Sequence, residues 1–166
     1  MTLSSALQYP QLASHAVLSE CRCYRYALSR VWDSSKPYAL FIGLNPSTAD
    51  ETEDDPTIRR CIGFSKSWGY GGLVMANLFA YRATDPDDMK VAVEPIGIAN
   101  NDWLTELANK AGVVVAAWGN HGAFKQRSSH VRGFLTELHY LKLNQSGEPA
   151  HPLYLKSTLT PIKWTK

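Results

Sequence analysis

Two asparagines and a histidine are the residues whose types and positions suggest chemistry. Asn45 follows an apolar run in the sequence Gly-Leu-Asn-Pro-Ser, Asn77 lies near the end of a second apolar run, and His151 begins a His-Pro pair. An amide can accept a hydrogen bond from a water and donate one to a ligand, and a histidine can donate to charge on a leaving group. Each residue also has a structural interpretation: an Asx turn for Asn45, satisfaction of backbone groups for Asn77, and a surface turn for His151.

Strand and helix patterns alternate along the chain and predict the elements that would position these residues. Apolar runs predict four core strands, over residues 38–44, 73–79, 113–118 and 140–143. Between them, the sequence predicts a helix from Asp55-Pro56 to Gly69, a short helix after residue 88, a helix over 101–111 and one marked by Val131, Phe134, Leu135 and Leu138. Residues 16–32 alternate with strand periodicity and predict a hairpin.

The order of elements predicts an α/β fold. We expect a three-layer sandwich with a mostly parallel four-stranded core sheet and an N-terminal β-hairpin at its edge. Residues 1–166 are expected to form a single domain, with residues 1–14 as a weakly structured arm. Ligands of such sheets bind at the carboxyl ends of the strands. Three loops are therefore expected to converge there, at residues 43–50, 77–86 and 118–122, and the segment 148–155 after the fourth strand could reach the same edge.

Composition excludes several classes of protein. The net charge of +2 argues against a strongly basic nucleic-acid clamp, and three cysteines cannot supply a site that needs four thiolates. An odd cysteine number without an export signal predicts a reduced, cytoplasmic protein. No apolar stretch is long enough to predict a membrane span. Nucleotide-binding glycine motifs, the nucleophile elbow and zinc-ligand spacing are absent, so we expect no cofactor, and no protein partner can be inferred.

An acidic segment follows the first candidate motif. It contains Asp50, Glu51, Glu53, Asp54 and Asp55. Asp55 is predicted to cap the next helix, and the others are interpreted as solvated. If a divalent cation bound here, Asp50, Asp54 and Asp55 would be its ligands, but the spacing is not that of a calcium loop and no metal site is predicted. Arg59 and Arg60 either balance these acids or form a phosphate site with the helix N-terminus.

Several sequence blocks together resemble a known family. The blocks GLNPSTAD, DDPTIRRC, WGYGGL, NLFAYRATDP, AAWGNHG and HPLYL look like an uncharacterised bacterial and phage domain family, a domain of unknown function. The resemblance spans about residues 20–164 and covers several blocks in order.

A more remote resemblance is to the uracil-DNA glycosylase superfamily. The sequence GLNPS at residues 43–47 is similar to the Gly-x-Asn-Pro-Gly motif of some branches, with Ser47 in place of the second Gly. Asn77 stands where superfamily members have a base-reading Asn, and the apolar run ending at Gly119 also fits. HPLYL at residues 151–155 resembles the His-Pro-Ser loop, with Leu153 in place of the Ser.

The resemblance implies a role for each matching residue. Asn45 would position the attacking water, His151 would hydrogen-bond the departing base, and Asn77 would pair with the base edge. Phe79 or Tyr70 would stack on the base, and Leu153 or Tyr154 would fill the gap in a duplex after base flipping. The remaining substrate-binding candidates are Gly43, Pro46, Ser47, Arg82 and Trp118.

Three functions remain open from the sequence. The first is a glycosylase that hydrolyses the N-glycosidic bond of a deaminated or modified base in nucleic acid, a nucleoside or a nucleotide. The second is a non-catalytic module that binds a nucleobase or nucleotide. The third is a metal-dependent nucleotide phosphoesterase that uses the acidic residues 50–55. Five carboxylates would repel a DNA backbone. The position of this segment relative to the site therefore determines whether long DNA or only a smaller substrate is compatible with it.

Overall fold

A seven-stranded sheet forms the centre of the structure, a computed structural model that describes residues 13–165. The strands are β1 (Ser14–Leu18), β2 (Arg25–Val31), β3 (Tyr38–Gly43), β4 (Gly72–Asn77), β5 (Val113–Ala116), β6 (Leu138–Tyr140) and β7 (Ile162–Lys163). The helices are α1 (Pro56–Ser67), α2 (Pro86–Lys90), α3 (Asn100–Lys110) and α4 (Arg127–Phe134), with 3-10 segments at Asn120–Gln126 and Pro152–Tyr154. None of the helices within residues 13–165 is long and apolar enough to cross a membrane.

The strand order, β1-β2-β4-β3-β5-β6-β7, creates a crevice at one edge of the sheet. β3 pairs in parallel with β4 on one side and with β5 on the other, and β5 pairs in parallel with β6. After β3 the chain therefore forms β4 on one side of it, and later forms β5 on the other side. Such a switch in direction opens a ligand crevice at the carboxyl ends of the strands.

Strand β3 is buried on both faces, and its side chains alternate between two cores. Leu40 and Ile42 pack in one core with the apolar faces of α3 and α4. Ala39 and Phe41 pack in the other core, which includes Ile58, Cys61 and Phe64 of α1. The continuous apolar character of this run follows from its position between two layers of helices.

Helix α1 begins where the sequence predicts. The Asp55 side chain accepts a hydrogen bond from the Ile58 N–H at 2.9 Å, and Pro56 occupies the first turn, where no intrahelical donor is needed. The apolar residues of this helix face the sheet at helical spacing. The loop between β3 and α1, which contains Asn45 and the acidic segment, is therefore anchored by a strand at one end and a capped helix at the other.

The α/β fold is confirmed, and the sheet has one strand more than the predicted four-stranded core and edge hairpin. The hairpin strands β1 and β2 and the additional strand β7 run antiparallel to their neighbours. Position 14 belongs to β1, and the rest of the predicted arm, apart from residue 13, lies outside the described residues. β1 and β2 pair in the antiparallel sense and correspond to the hairpin predicted over residues 16–32, although β1 begins before that segment.

The ends of several predicted elements are wrong. β4 ends at Asn77 and not at residue 79, and β5 ends at Ala116 and not at residue 118. The segment predicted as strand 140–143 is mostly loop, because the strand is Leu138–Tyr140 and α4 ends at Phe134. The predicted helix pattern ran on to Leu138 because buried apolar residues in a helix, a connection and a short strand happened to match helical spacing.

Candidate functional site

A cleft of about 780 Å³ opens at the carboxyl ends of the parallel strands. The segments after β3, β4 and β5 form its floor and sides, and the loop around His151 closes one wall. The lining includes the predicted residues Gly43, Asn45, Ser47, Asn77, Trp118, His151 and Leu153. The cleft occupies the crevice that the strand order creates and has the size of small-molecule sites.

Asn45 is held by the backbone through its amide nitrogen. Nδ2 donates to the carbonyl oxygen of Ala83 at 2.8 Å and to that of Pro46 at 3.2 Å. The Ala83 N–H in turn donates to the Pro46 carbonyl oxygen at 3.0 Å, so the two loops are joined. Because two carbonyl acceptors fix the orientation of the amide, its oxygen is the atom left to accept a hydrogen bond from a water or ligand.

Asn77 lies beside Gly43, its partner in the β3–β4 pairing. Its side chain is buried, and Arg25 Nη2 lies 3.5 Å from Oδ1. A methyl group on Gly43 would lie 3.0 Å from Asn77 Nδ2, which is tighter than ordinary packing. The glycine therefore leaves room for the amide at the floor of the cleft.

Arg25 is a buried cation at the cleft that the sequence analysis did not identify. It is 2% exposed, lines the cleft, and donates from Nη1 to the Ala49 carbonyl oxygen at 2.8 Å. The guanidinium thus connects the acidic segment's loop to Asn77. The available signal was a charged residue within the apolar strand sequence Tyr-Arg-Tyr-Ala-Leu, because a buried strand position seldom takes an unassisted charge.

His151 caps the 3-10 segment that follows it. Its Nδ1 accepts a hydrogen bond from the Leu153 N–H at 3.2 Å, which places the proton of the neutral ring on Nε2. Burial within the cleft lowers the pKa of His151, and the nearby Asp55 carboxylate partly opposes this shift. At neutral pH the ring is therefore an uncharged donor, although part of its surface remains exposed to solvent.

One side of the cleft is braced by a carboxylate. Trp118 is 1% exposed and donates from Nε1 to Glu148 Oε2 at 2.6 Å, while Ser128 Oγ donates to Oε1 at 2.8 Å. The Gly119 N–H donates to the Pro149 carbonyl oxygen at 2.8 Å. Glu148 therefore ties the loop before His151 to the segment after β5. A single Glu in a loop gave no sequence signal for this role.

Most of the acidic segment has structural partners away from the cleft. Asp50 Oδ1 accepts from the backbone of Thr52 and Glu53 at 2.9 Å, and these bonds lower its pKa. Asp54 forms an ion pair with the largely buried Arg30 at 2.9 Å. Of the five acids, only Asp55 lines the cleft, and it also caps α1.

Glu51 forms a more exposed ion pair, with Arg22 at 3.3 Å. Such a pair adds little stability. Within residues 13–165, no group of three or more His, Cys, Asp or Glu side chains could hold a metal ion. Four of the five acids at 50–55 thus serve in a turn, two ion pairs and a helix cap.

Several predicted substrate contacts lie outside the cleft. Phe79 is fully buried in the core against Phe124, because β4 ends two residues earlier and the chain turns inward. Tyr70 lies at the opposite end of the sheet, where its ring would contact a methyl group on Gly112 before β5. Neither ring can stack on a ligand in the cleft.

The other predicted contacts that do not line the cleft are one proline and three arginines. Pro46 is buried behind Asn45, and Arg82 Nη1 donates to the Arg22 carbonyl oxygen at 3.2 Å. Arg60 donates to the Leu155 carbonyl oxygen and stacks on Phe64. Arg59 is exposed and donates to the Asp54 carbonyl oxygen. These backbone contacts favour a structural interpretation of both α1 arginines.

The fold and cleft define an α/β protein with a crevice at the carboxyl ends of its parallel strands. The chain belongs to the family described as "Protein of unknown function (DUF1643)", whose model matches residues 25–153. Comparisons with the curated proteins and with the solved structures find no match.

Proposed function

We propose that the chain hydrolyses the N-glycosidic bond of a deaminated or modified base, in nucleic acid or in a nucleotide. The observation that supports this proposal is that Asn45, Asn77 and His151 line one cleft, although they come from three separate segments of the sequence. The similarity of their motifs to the uracil-DNA glycosylase superfamily, and a cleft at the carboxyl ends of parallel strands, agree with the same reaction.

The attacking water is the first requirement of this reaction. The Asn45 amide oxygen accepts a hydrogen bond from that water and aims its oxygen at the anomeric carbon. Because Ala83 and Pro46 hold the amide nitrogen, little rearrangement is needed when the substrate arrives. A C–O bond forms as the C–N bond to the base breaks, and the water releases a proton to solvent.

The leaving base is the second requirement. It departs with the electron pair of the broken bond and develops negative charge that is shared with a carbonyl oxygen of the base. His151 donates from Nε2 to that oxygen, and the bond strengthens as charge develops. A neutral donor suits this role, and the lowered pKa of His151 keeps the ring neutral. Asn77 donates from Nδ2 to an acceptor on the base edge.

The electrostatics of the cleft also permit a phosphate-bearing substrate. Lys142 and Arg25 line the cleft, whereas Asp55 is the acidic segment's one contribution to the lining. Four of the five carboxylates of the segment therefore lie outside the cleft lining, which supports a nucleic-acid strand as a substrate. Tyr154 lines the cleft and is 91% exposed, which supports a role for its side chain in filling the gap left by a flipped base.

A panel of modified bases tests the proposal. Single- and double-stranded oligonucleotides carrying each base are incubated with the protein and then treated with alkali, which breaks the strand at an abasic site. Matching nucleosides and nucleotides are analysed by chromatography for free base. Release of one base, lost in Asn45→Ala and His151→Ala, supports the proposal. No base release from any substrate contradicts it.

A non-catalytic binding module is the second candidate, because the cleft offers the same hydrogen-bond partners to a free base. It predicts a rise in Tm with a nucleobase or nucleotide and no product on prolonged incubation. The metal-dependent phosphoesterase has less support, because Asp54 is paired with Arg30 and Asp50 is satisfied by its own turn.

The substitution Gly43→Ala should weaken ligand binding without unfolding the protein. The added methyl group would lie 3.0 Å from Asn77 Nδ2 and would displace the amide from its position. Loss of one hydrogen bond corresponds to about a tenfold rise in the Kd of the released base, measured by titration calorimetry.

Gly63→Ala is the matched control for this substitution. No atom lies within 4 Å of the position that its Cβ would take, and Gly63 lies inside α1. We expect an unchanged Kd and a gain of about 0.5–1 kcal/mol in the free energy of unfolding. Equal Kd values for wild type and Gly43→Ala would show that Asn77 does not contact the base.

The pH dependence of stability should report the state of His151. Its folded pKa lies below its ordinary value of 6.5, so the unfolded chain takes up the proton first as the pH falls. The contribution of the neutral ring is therefore fully present above pH 6.5 and is lost as the pH falls towards the folded pKa. Urea unfolding should show wild type losing stability relative to His151→Gln between pH 7.5 and pH 5.5. A constant difference, or a relative gain by wild type in acid, would contradict a lowered pKa.

A further inference from the structure

Two exposed cysteines lie on the turn between β1 and β2. Cys21 and Cys23 flank Arg22, whose φ of 61° places it in the left-handed region. The Arg22 N–H donates to the Ser19 carbonyl oxygen at 2.8 Å, which closes the turn. Neither cysteine lines the cleft at the carboxyl ends of the strands.

Each of the two thiols contacts a polar group of the same turn. Ser19 Oγ lies 3.4 Å from Cys21 Sγ, and the Cys23 thiol donates to the Cys21 carbonyl oxygen at 3.7 Å. The Ser19 hydroxyl, followed by the Cys23 backbone and thiol, lowers the pKa of Cys21. The hydrogen bond to Cys21 raises the pKa of Cys23. The pKa of Cys21 therefore lies below that of Cys23, which favours Cys21 as the thiolate of the pair.

The spacing also allows a disulfide between these cysteines. Consecutive Cα atoms are about 3.8 Å apart, so residues two apart on a turn come within the roughly 4.4–6.8 Å that a disulfide requires. The third cysteine, Cys61, is fully buried in α1, and this burial raises the pKa of its thiol. It offers an internal control of the same chemistry in an inaccessible position.

We propose that Cys21 and Cys23 form a peroxide-reactive dithiol site, with Cys21 as the attacking and Cys23 as the resolving cysteine. The Cys21 thiolate attacks one oxygen of a peroxide, so that an S–O bond forms, the O–O bond breaks and the second oxygen leaves as water or an alcohol after taking a proton. Cys23 then attacks the Cys21 sulfenic acid, an S–S bond forms and water leaves. The two thiols lose two electrons and the peroxide gains them.

Oxidation of the turn would alter the wall of the cleft through hydrogen bonds. The Arg82 N–H donates to the Cys23 carbonyl oxygen at 2.8 Å, and Arg82 Nη1 donates to the Arg22 carbonyl oxygen at 3.2 Å. The next residue, Ala83, holds the Asn45 amide. A disulfide that reshapes the turn therefore acts on the segment that orients Asn45. The dithiol chemistry itself does not depend on the proposed glycosylase activity.

Stepwise oxidation of the full-length reduced protein tests the site. Hydrogen peroxide is added in equimolar steps, free thiols are alkylated, and the products are identified by intact mass and peptide mapping. We expect a loss of two hydrogens per chain, a peptide linking Cys21 to Cys23, an unmodified Cys61, and full reversal by dithiothreitol. In Cys23→Ser, dimedone should label a sulfenic acid at Cys21, whereas Cys21→Ser should label more slowly at Cys23.

Three results would overturn the proposal. They are separate oxidation of Cys21 and Cys23 to sulfinic acids, disulfides between molecules in place of the internal one, and dimedone labelling of Cys23 in Cys21→Ser as fast as that of Cys21 in Cys23→Ser. Each can be obtained whether or not the protein releases a base, so failure here is distinguishable from failure of the glycosylase proposal.

Discussion

Replacement of His151 by alanine should lower kcat for base release by about 10²- to 10³-fold, the usual loss when a donor to developing negative charge is removed. Nε2 is the donor of the neutral ring because the Leu153 N–H occupies Nδ1. In the proposed reaction the bond from Nε2 to the base is made mainly in the transition state, so KM should change much less than kcat. Single-turnover kinetics on the base identified by the panel measure this effect.

His130→Ala is the control for this experiment. His130 is exposed, contacts Arg127 and Phe134, and does not line the cleft. The kcat of the His130→Ala variant should stay within about threefold of wild type, because neither His130 nor the residues named as its contacts line the cleft. If His151→Ala and His130→Ala retain equal activity, His151 has no role in departure of the base. If His151→Ala instead raises KM and leaves kcat unchanged, His151 acts in substrate binding and not in the chemical step.

Replacement of Phe41 by alanine should destabilise the fold by about 3–5 kcal/mol, as is usual for a buried aromatic truncated to Ala. Phe41 is fully buried on the α1 face of β3, and its ring centroid lies 5.7 Å from that of Trp68 and 6.4 Å from that of Phe64. The loss combines apolar transfer with the cavity left among these rings. Urea unfolding followed by tryptophan fluorescence measures the change.

Val93→Ala is the control for the core substitution. Val93 is fully exposed in the loop between α2 and α3, so its removal should change the free energy of unfolding by no more than about 0.5 kcal/mol. A cost of less than about 1 kcal/mol for Phe41→Ala would mean that α1 does not pack on this face of the sheet.

The sequence predicted those parts of the fold that depend on local pattern. The Asp55-Pro56 start of α1 was correct because a capping carboxylate and a proline act on backbone groups within one turn. The runs that became β3, β4 and β5 were identified because both faces of these strands are buried. β6 was misplaced because a three-residue strand is too short to show a period.

The residues that line the cleft were predicted only in part. Asn45, Asn77 and His151 were singled out, and the structure brings them to one cleft. Phe79 and Tyr70 were placed wrongly, because an aromatic near a motif in sequence can still point into a core or lie at the other end of a strand. Arg25 and Glu148 were missed, since each acts on a segment distant in sequence.

The sequence by itself determined the α/β class, the polar turn after the first core strand and the capped helix that follows. These features arise from hydrogen bonds and apolar periods within a few residues. Only the tertiary structure decided that Asp54 pairs with Arg30 and that Asp50 serves its own turn, so that one acid of the five remains at the cleft. The Asp54–Arg30 pair depends on strand order, because Arg30 belongs to β2, which lies two strands from β3 in the sheet, and strand order leaves no trace in local pattern.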